Sequence, residues 1–184
     1  MLLKTTEKAL AEYKRFDTDE ARFYEEMLRL LADGTNAFQR DHFSPGHFTA
    51  SAFVLSPDRQ KLLLILHRKL QKWLQPGGHV ELHDQSLWHA AQREVYEEVG
   101  VEIVEQNPEI FDLDIHVIPA RKNELQHRHF DVRFLFVAPS FDFRVDPEVA
   151  DGRWVVLSEI STLTNDRSVL RATHKLQNIS QIKQ

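Results

Sequence analysis

A layered α/β domain is predicted by three features of the chain: segments with a helical apolar period alternate with segments of period two, no internal repeat interrupts them, and no low-complexity linker divides them. At 184 residues, 42% hydrophobic and 28% charged, the chain carries enough apolar material for one core of ordinary domain size.

The first forty-odd residues read as helices. Leu10, Tyr13 and Phe16 recur at helical spacing, and Phe23, Met27, Leu30 and Leu31 do so again after Asp17 and Asp19, until Asp33-Gly34 stops the second helix. Thr49 to Ser56 and Lys61 to Arg68 are β-like runs joined by Ser56-Pro57-Asp58, where proline presets one backbone angle and Asp bonds its own backbone, so a hairpin is predicted. Ser86 to Val99 places Leu87, Ala91, Val95 and Val99 on one helical stripe, and Gly100 is a natural stop. Ile110 to Ile118 and His129 to Val137 alternate in period two and suit neighbouring strands of a mostly buried sheet. Trp154 to Leu157 is a short late strand. Val169, Leu170, Thr173, Leu176 and Ile179 make a final amphipathic helix capped near Asn165 or Asp166.

Composition narrows the function. Lys and Arg number 23 against 28 Asp and Glu, and the formal net charge of -5 provides no sequence-wide basic field for nucleic acid. With no cysteine, thiolate chemistry and disulfides are excluded. The opening residues have no signal-type apolar core and no stretch approaches about 18 apolar residues, so a cytoplasmic protein without a membrane partner is the default expectation.

The informative segment is GGHVELHDQSLWHAAQREVYEEVGV, residues 77 to 101, in which Glu94, Glu97 and Glu98 fall on one helical face. Like charges so placed repel at a few tenths of a kcal/mol per pair, and a divalent cation reverses that sign. Oxygen-only ligands suit Mg²⁺ or Mn²⁺. Arg93 is placed to orient a carboxylate through a forked hydrogen bond. Scattered charges on a solvated face are the plainer reading of such a run, but the glycine turn before this helix and the glycine after it argue against that.

Loop, helix and stop together resemble the Nudix box, G-x5-E-x7-R-E-U-x-E-E-x-G-U with U aliphatic. Arg93, Glu94, Val95, Glu97, Glu98, Gly100 and Val101 all match. The interval before Arg93 is one residue longer than the pattern, and Asp84 or Gln85 takes the place of the first glutamate. Segments such as PGHFTASAFVL, HRKLQKWLQPGGH, DLDIHVIPA and HRHFDVRFLF extend the resemblance over most of residues 43 to 160. It implies an α/β/α sandwich with a mixed sheet, as a domain over 44–184 preceded by a helical extension over 1–43. It also implies hydrolysis of a diphosphate linkage in a nucleoside diphosphate derivative, with a nucleoside diphosphate sugar or ADP-ribose as the leading substrate. A nucleoside triphosphate pyrophosphatase is the alternative within the same chemistry, and a non-catalytic nucleotide-sensing domain is the alternative outside it. The sensing reading would predict loss of the helix carboxylates.

By the same resemblance, Glu94 and Glu98 hold the cation, Glu97 supports or joins them, and the carbonyl of Gly77 is a further ligand. Arg93 completes the catalytic set, and the base is Glu97 or a later loop carboxylate, with Glu124 and Glu148 as candidates. Ten histidines is a high count. His127, His129 and Asp131 share parity, and with His79, Arg68 and Trp73 they are the candidate substrate contacts; each also has a plain structural reading. A zinc site lacks cysteine and a compact spacing of four ligands. Asp112, Asp114 and His116 make a strand face too polar for a dry core. The N-terminal helices offer a homodimer arm, a lid or plain packing.

Overall fold

The computed structural model describes residues 1–104, 108–121 and 124–182, with side chains as far as residue 179. Helices α1 (Leu2–Glu12) and α2 (Thr18–Leu31) come first. Asp17 caps α2 by accepting from the Glu20 amide at 2.8 Å. Glu20 is itself fully buried and accepts from the Tyr13 hydroxyl and, at 2.7 Å, from the Phe16 amide, so one carboxylate fixes the corner between the two helices.

Strands β1 (Gly46–Leu55) and β2 (Lys61–His67) form the expected antiparallel hairpin, with Ser56 Oγ donating to Asp58 in the turn. Then follow β3 (Lys72–Leu74), β4 (Gly77–His79), α3 (Leu87–Val99), β5 (Ile110–Ile118), β6 (His127–Val137), β7 (Val149–Val156), α4 (Ile160–Leu163) and α5 (Arg167–Ile182). The strand order of the mixed sheet is β3-β2-β1-β6-β5, with β4 paired to β1 and β7 to β2. Three expectations need correction. Pro76-Gly77-Gly78 leads into a short strand rather than a free turn, because β1 offers its backbone to Gly77 and Gly78. β6 starts at His127, two residues early, and β7 starts at Val149, where pairing to β2 overrides the turn-like Asp151-Gly152. Among the described residues no helix is long and apolar enough to cross a membrane.

The chain divides into two compact units, Met1–Ser51 with Gly77–Glu94 and Asn107–Phe134, and Ala52–Pro76 with Val95–Gln106 and Leu135–Gln184. In the second, β2 is flanked by β3 and β7, Trp154 Nε1 donates to the Phe141 carbonyl at 2.8 Å, and Asp166 accepts from the Ser168 amide at 3.1 Å to start α5.

In the first, α2 packs on β5 and the β5–β6 pair separates its side chains by parity. Phe111, Leu113, Phe130, Val132 and Phe134 take one face and are buried. The other face carries Asp112, Asp114 and His116 from β5 with His127, His129, Asp131 and Arg133 from β6. Arg133 is 2% exposed and reaches Asp131 at 2.7 Å, Asp114 at 3.2 Å and Asp112 at 3.3 Å. Burial alone would lower its pKa, but the three carboxylates outweigh that and raise it, so it stays charged. Asp131 also accepts from Thr49 at 3.1 Å and Ser51 at 2.7 Å. The face too polar for a dry core is thus a buried ion network.

Removing one member of such a network strands the others without compensation. Arg133→Met is expected to lower the unfolding free energy in urea by about 3–5 kcal/mol. A loss below about 1 kcal/mol would show that Arg133 is not what holds the three carboxylates in place.

Candidate functional site

Backbone pairing brings Gly77 opposite Ser51 and Gly78 opposite Ala50. Gly77 has φ +156°, and a Cβ there would fall 2.2 Å from the Ser51 side chain. A Cβ on Gly78 would lie 2.7 Å from both oxygens of the Glu94 carboxylate. Absence of a side chain at Gly78 therefore lets Glu94 press its carboxylate against the strand backbone.

Arg93 fixes that placement. Its guanidinium donates to Glu94 at 2.9 Å, to Asp84 at 3.0 Å and to the His79 carbonyl at 2.8 Å, so one side chain ties helix, loop and strand together. Burial pulls the Arg93 pKa down, but the bonds and charges of Asp84 and Glu94 raise it overall. Asp84 is buried and also accepts from the Glu81 amide at 2.8 Å. Gln85 is exposed, and its carbonyl accepts from the Thr5 hydroxyl at 3.3 Å. The lengthened loop therefore turns Asp84, not Gln85, toward Arg93.

Ser86 opens α3 by accepting from the His89 amide at 3.2 Å, and Gly100 closes it at φ +64°. Helical spacing sets Glu98 one turn beyond Glu94; Glu98 is half-buried and Glu97 exposed. Hard oxygen donors on successive turns, one of them set against glycine backbone, fit a divalent cation of the Mg²⁺ type.

A second cluster lies on the polar faces of β1, β4, β5 and β6. His47 rings stand 5.2 Å from His79, 5.1 Å from His127 and 4.9 Å from His129, and His116 stands 5.4 Å from His129. Burial is the main cause lowering the pKa of His47 and of His79 to about 4 and of His129 to about 2. His127, His129 and Asp131 do share a face, as their parity predicts. Asp131 departs from the substrate-contact expectation, because at 3% exposure it is engaged by Thr49, Ser51 and Arg133.

The remaining candidates have local partners of their own or stand exposed. Arg68 donates to the carbonyls of Pro147 at 3.1 Å and Val149 at 3.0 Å, and Trp73 is half-buried with the Arg153 guanidinium 4.9 Å from its ring. Glu124 pairs with Arg40 at 3.5 Å, and Glu148 is exposed. His47, Thr49, Ser51 and Arg133 also take part, and they are not among the candidates that the sequence suggests. Arg133 continues the parity of residues 127, 129 and 131, a signal that was present; His47 enters from a strand some eighty residues away, which local spacing does not encode.

A family model described as NUDIX domain matches residues 45–175. A Lactococcus lactis subsp. cremoris protein named Probable DHNTP pyrophosphohydrolase is 32% identical over 134 residues, covering 70% of this chain and 77% of that one. Among solved structures, a NUDIX family hydrolase from Clostridium perfringens is 25% identical with a TM-score of 0.53, covering 72% of this chain and 97% of its own. A MutT protein from Methanosarcina mazei shares the fold at 20% identity and a TM-score of 0.56, covering 72% and 94%.

Histidines held neutral by burial bind fewer protons folded than unfolded, so stability falls as pH drops from about 6.5 toward 4. In the presence of EDTA, the Tm is expected to fall from about pH 7 to about pH 5, and His129→Gln to flatten that fall. A Tm unchanged over this range would contradict the burial of neutral imidazoles.

Proposed function

The chain belongs to the NUDIX family of phosphoanhydride hydrolases, and from that premise we propose that it uses Mg²⁺ or Mn²⁺ on α3 to hydrolyse a diphosphate linkage in a nucleotide-like small molecule. The observation that carries this reading is the Glu94 carboxylate set against Gly78 and clamped by Arg93, with Glu98 one turn further along. All three helix glutamates are present, which speaks against a purely sensing role.

Glu94 and Glu98, with the Gly77 carbonyl, would hold the cation, which when bound neutralises phosphate charge and lowers the pKa of water. Arg93 keeps Glu94 oriented. Glu97, exposed on the next turn, is the group proposed to take a proton from the attacking water. It is preferred to Glu124, whose carboxylate is paired with Arg40, and to Glu148, which is exposed on a loop. Water adds to one phosphorus, the bridging P–O bond breaks, and two phosphate products leave. His79, next to Gly78 on β4, is the proposed substrate contact.

The first substrate class is a nucleoside diphosphate sugar or ADP-ribose. A triphosphate pyrophosphatase is the second reading, and the name of the L. lactis relative favours it. Assay of nucleotide sugars, ADP-ribose, dinucleoside polyphosphates and triphosphates with Mg²⁺ in ¹⁸O-water decides between them. The first class yields a nucleoside monophosphate and a sugar phosphate, the second a monophosphate and pyrophosphate. Hydrolysis of none would contradict the proposal.

Glu98→Gln is expected to reduce turnover about a hundredfold or more with the fold intact, and EDTA to abolish activity until Mg²⁺ or Mn²⁺ is returned. Turnover that persists in chelator would contradict the cation's role. Gly78→Ala offers a finer test, since the three atoms nearest the added methyl all belong to the far end of the Glu94 side chain. Its kcat/KM is expected to drop about a hundredfold with the Tm near wild type. An unaffected rate would mean the Glu94–Gly78 contact is dispensable.

A further inference from the structure

His47 is 1% exposed, and its Nε2 is buried without a hydrogen-bond partner. Its Nδ1 lies 3.3 Å from the His42 carbonyl, and the Nδ1 of His127 lies 2.7 Å from the Leu125 carbonyl. A carbonyl only accepts, so Nδ1 carries the proton in both rings and both Nε2 atoms present lone pairs. His127 Nε2 is 3.3 Å from His129 Nε2, and one ring nitrogen from each of His47, His127 and His129 lies within 4.8 Å of the others. A single proton shared between His127 and His129 would still leave His47 Nε2 unsatisfied.

We propose that His47, His127 and His129 form a second metal centre, a tris-imidazole site for Zn²⁺ or a similar transition ion. Imidazole nitrogen suits zinc, whereas Mg²⁺ prefers the oxygen donors of α3, so the two centres differ in chemistry. Backbone carbonyls on the far nitrogens are the outer partners that orient metal-binding histidines. Three carboxylates around the single Arg133 leave surplus negative charge beside His129 and His116, and Arg40, the cation acting on His47, is paired with Glu124. Three protein ligands leave a fourth position for water or an anionic oxygen of a substrate.

The test uses the full chain stripped with chelator and then titrated with Zn²⁺, and separately with Co²⁺, in excess Mg²⁺ to occupy the carboxylates. One equivalent of Zn²⁺ is expected to bind, with affinity reduced about a hundredfold or more in His47→Gln and His129→Gln and within about twofold of wild type in the Glu94→Gln, Glu98→Gln double variant. Co²⁺ is expected to give the intense visible bands of a low-coordinate nitrogen site. No stoichiometric binding, histidine variants that bind as wild type does, or loss confined to the glutamate variant would each overturn the proposal. If the histidine variants do not fold, the wild-type Co²⁺ spectrum decides, and weak octahedral bands refute the site.

Discussion

The contact on which the candidate site depends is a carboxylate against a glycine. Glu94 occupies the space that any side chain at position 78 would fill, and it is kept there by a guanidinium that also grips Asp84 and the backbone of His79. A carboxylate brought this close to a strand needs a positive neighbour and a missing Cβ, and the sequence Gly77-Gly78 followed by Arg93-Glu94 supplies both. Helical geometry then fixes where Glu97 and Glu98 stand relative to Glu94.

The polar faces of β5 and β6 answer a different constraint. A sheet face that is buried yet carries carboxylates needs a counter-charge within the fold, and Arg133 pairs with three of them at once. Toward the start of β6 the same face changes from ions to imidazoles. Burial favours the neutral ring of His47 and His129, and hydrogen bonds to backbone carbonyls choose the tautomer of His47 and His127. One face thus grades from a fixed charge network at Arg133 to nitrogen lone pairs at His47 and His127.

Much of the architecture was legible in the sequence because the signals are local. The stripe of Leu87, Ala91, Val95 and Val99 reports a helix without reference to the rest of the chain, and the alternation in Ile110 to Ile118 reports a strand in the same way. β4 was not legible, since Gly-Gly-His carries no strand pattern and becomes a strand only because β1 pairs with it. The carboxylates of α3 follow from spacing, but the choice of Asp84 over Gln85 depends on the path of the loop, which composition does not determine. Asp112 and Asp114 could be recognised as too polar for a dry core. That they close on Arg133 follows only from the register of β5 against β6. His47 was invisible for the same reason: its partners lie on another strand, and no spacing rule links them.

The central claim, that the α3 carboxylates gather a divalent cation beside the β4 glycines, is tested most directly by anomalous diffraction from crystals soaked in Mn²⁺. The account predicts a peak at about 2.1 Å from oxygens of Glu94 and Glu98, within reach of the Gly77 carbonyl. A peak located only elsewhere, or density in which Glu94 has left Gly78 and binds no metal, would contradict it.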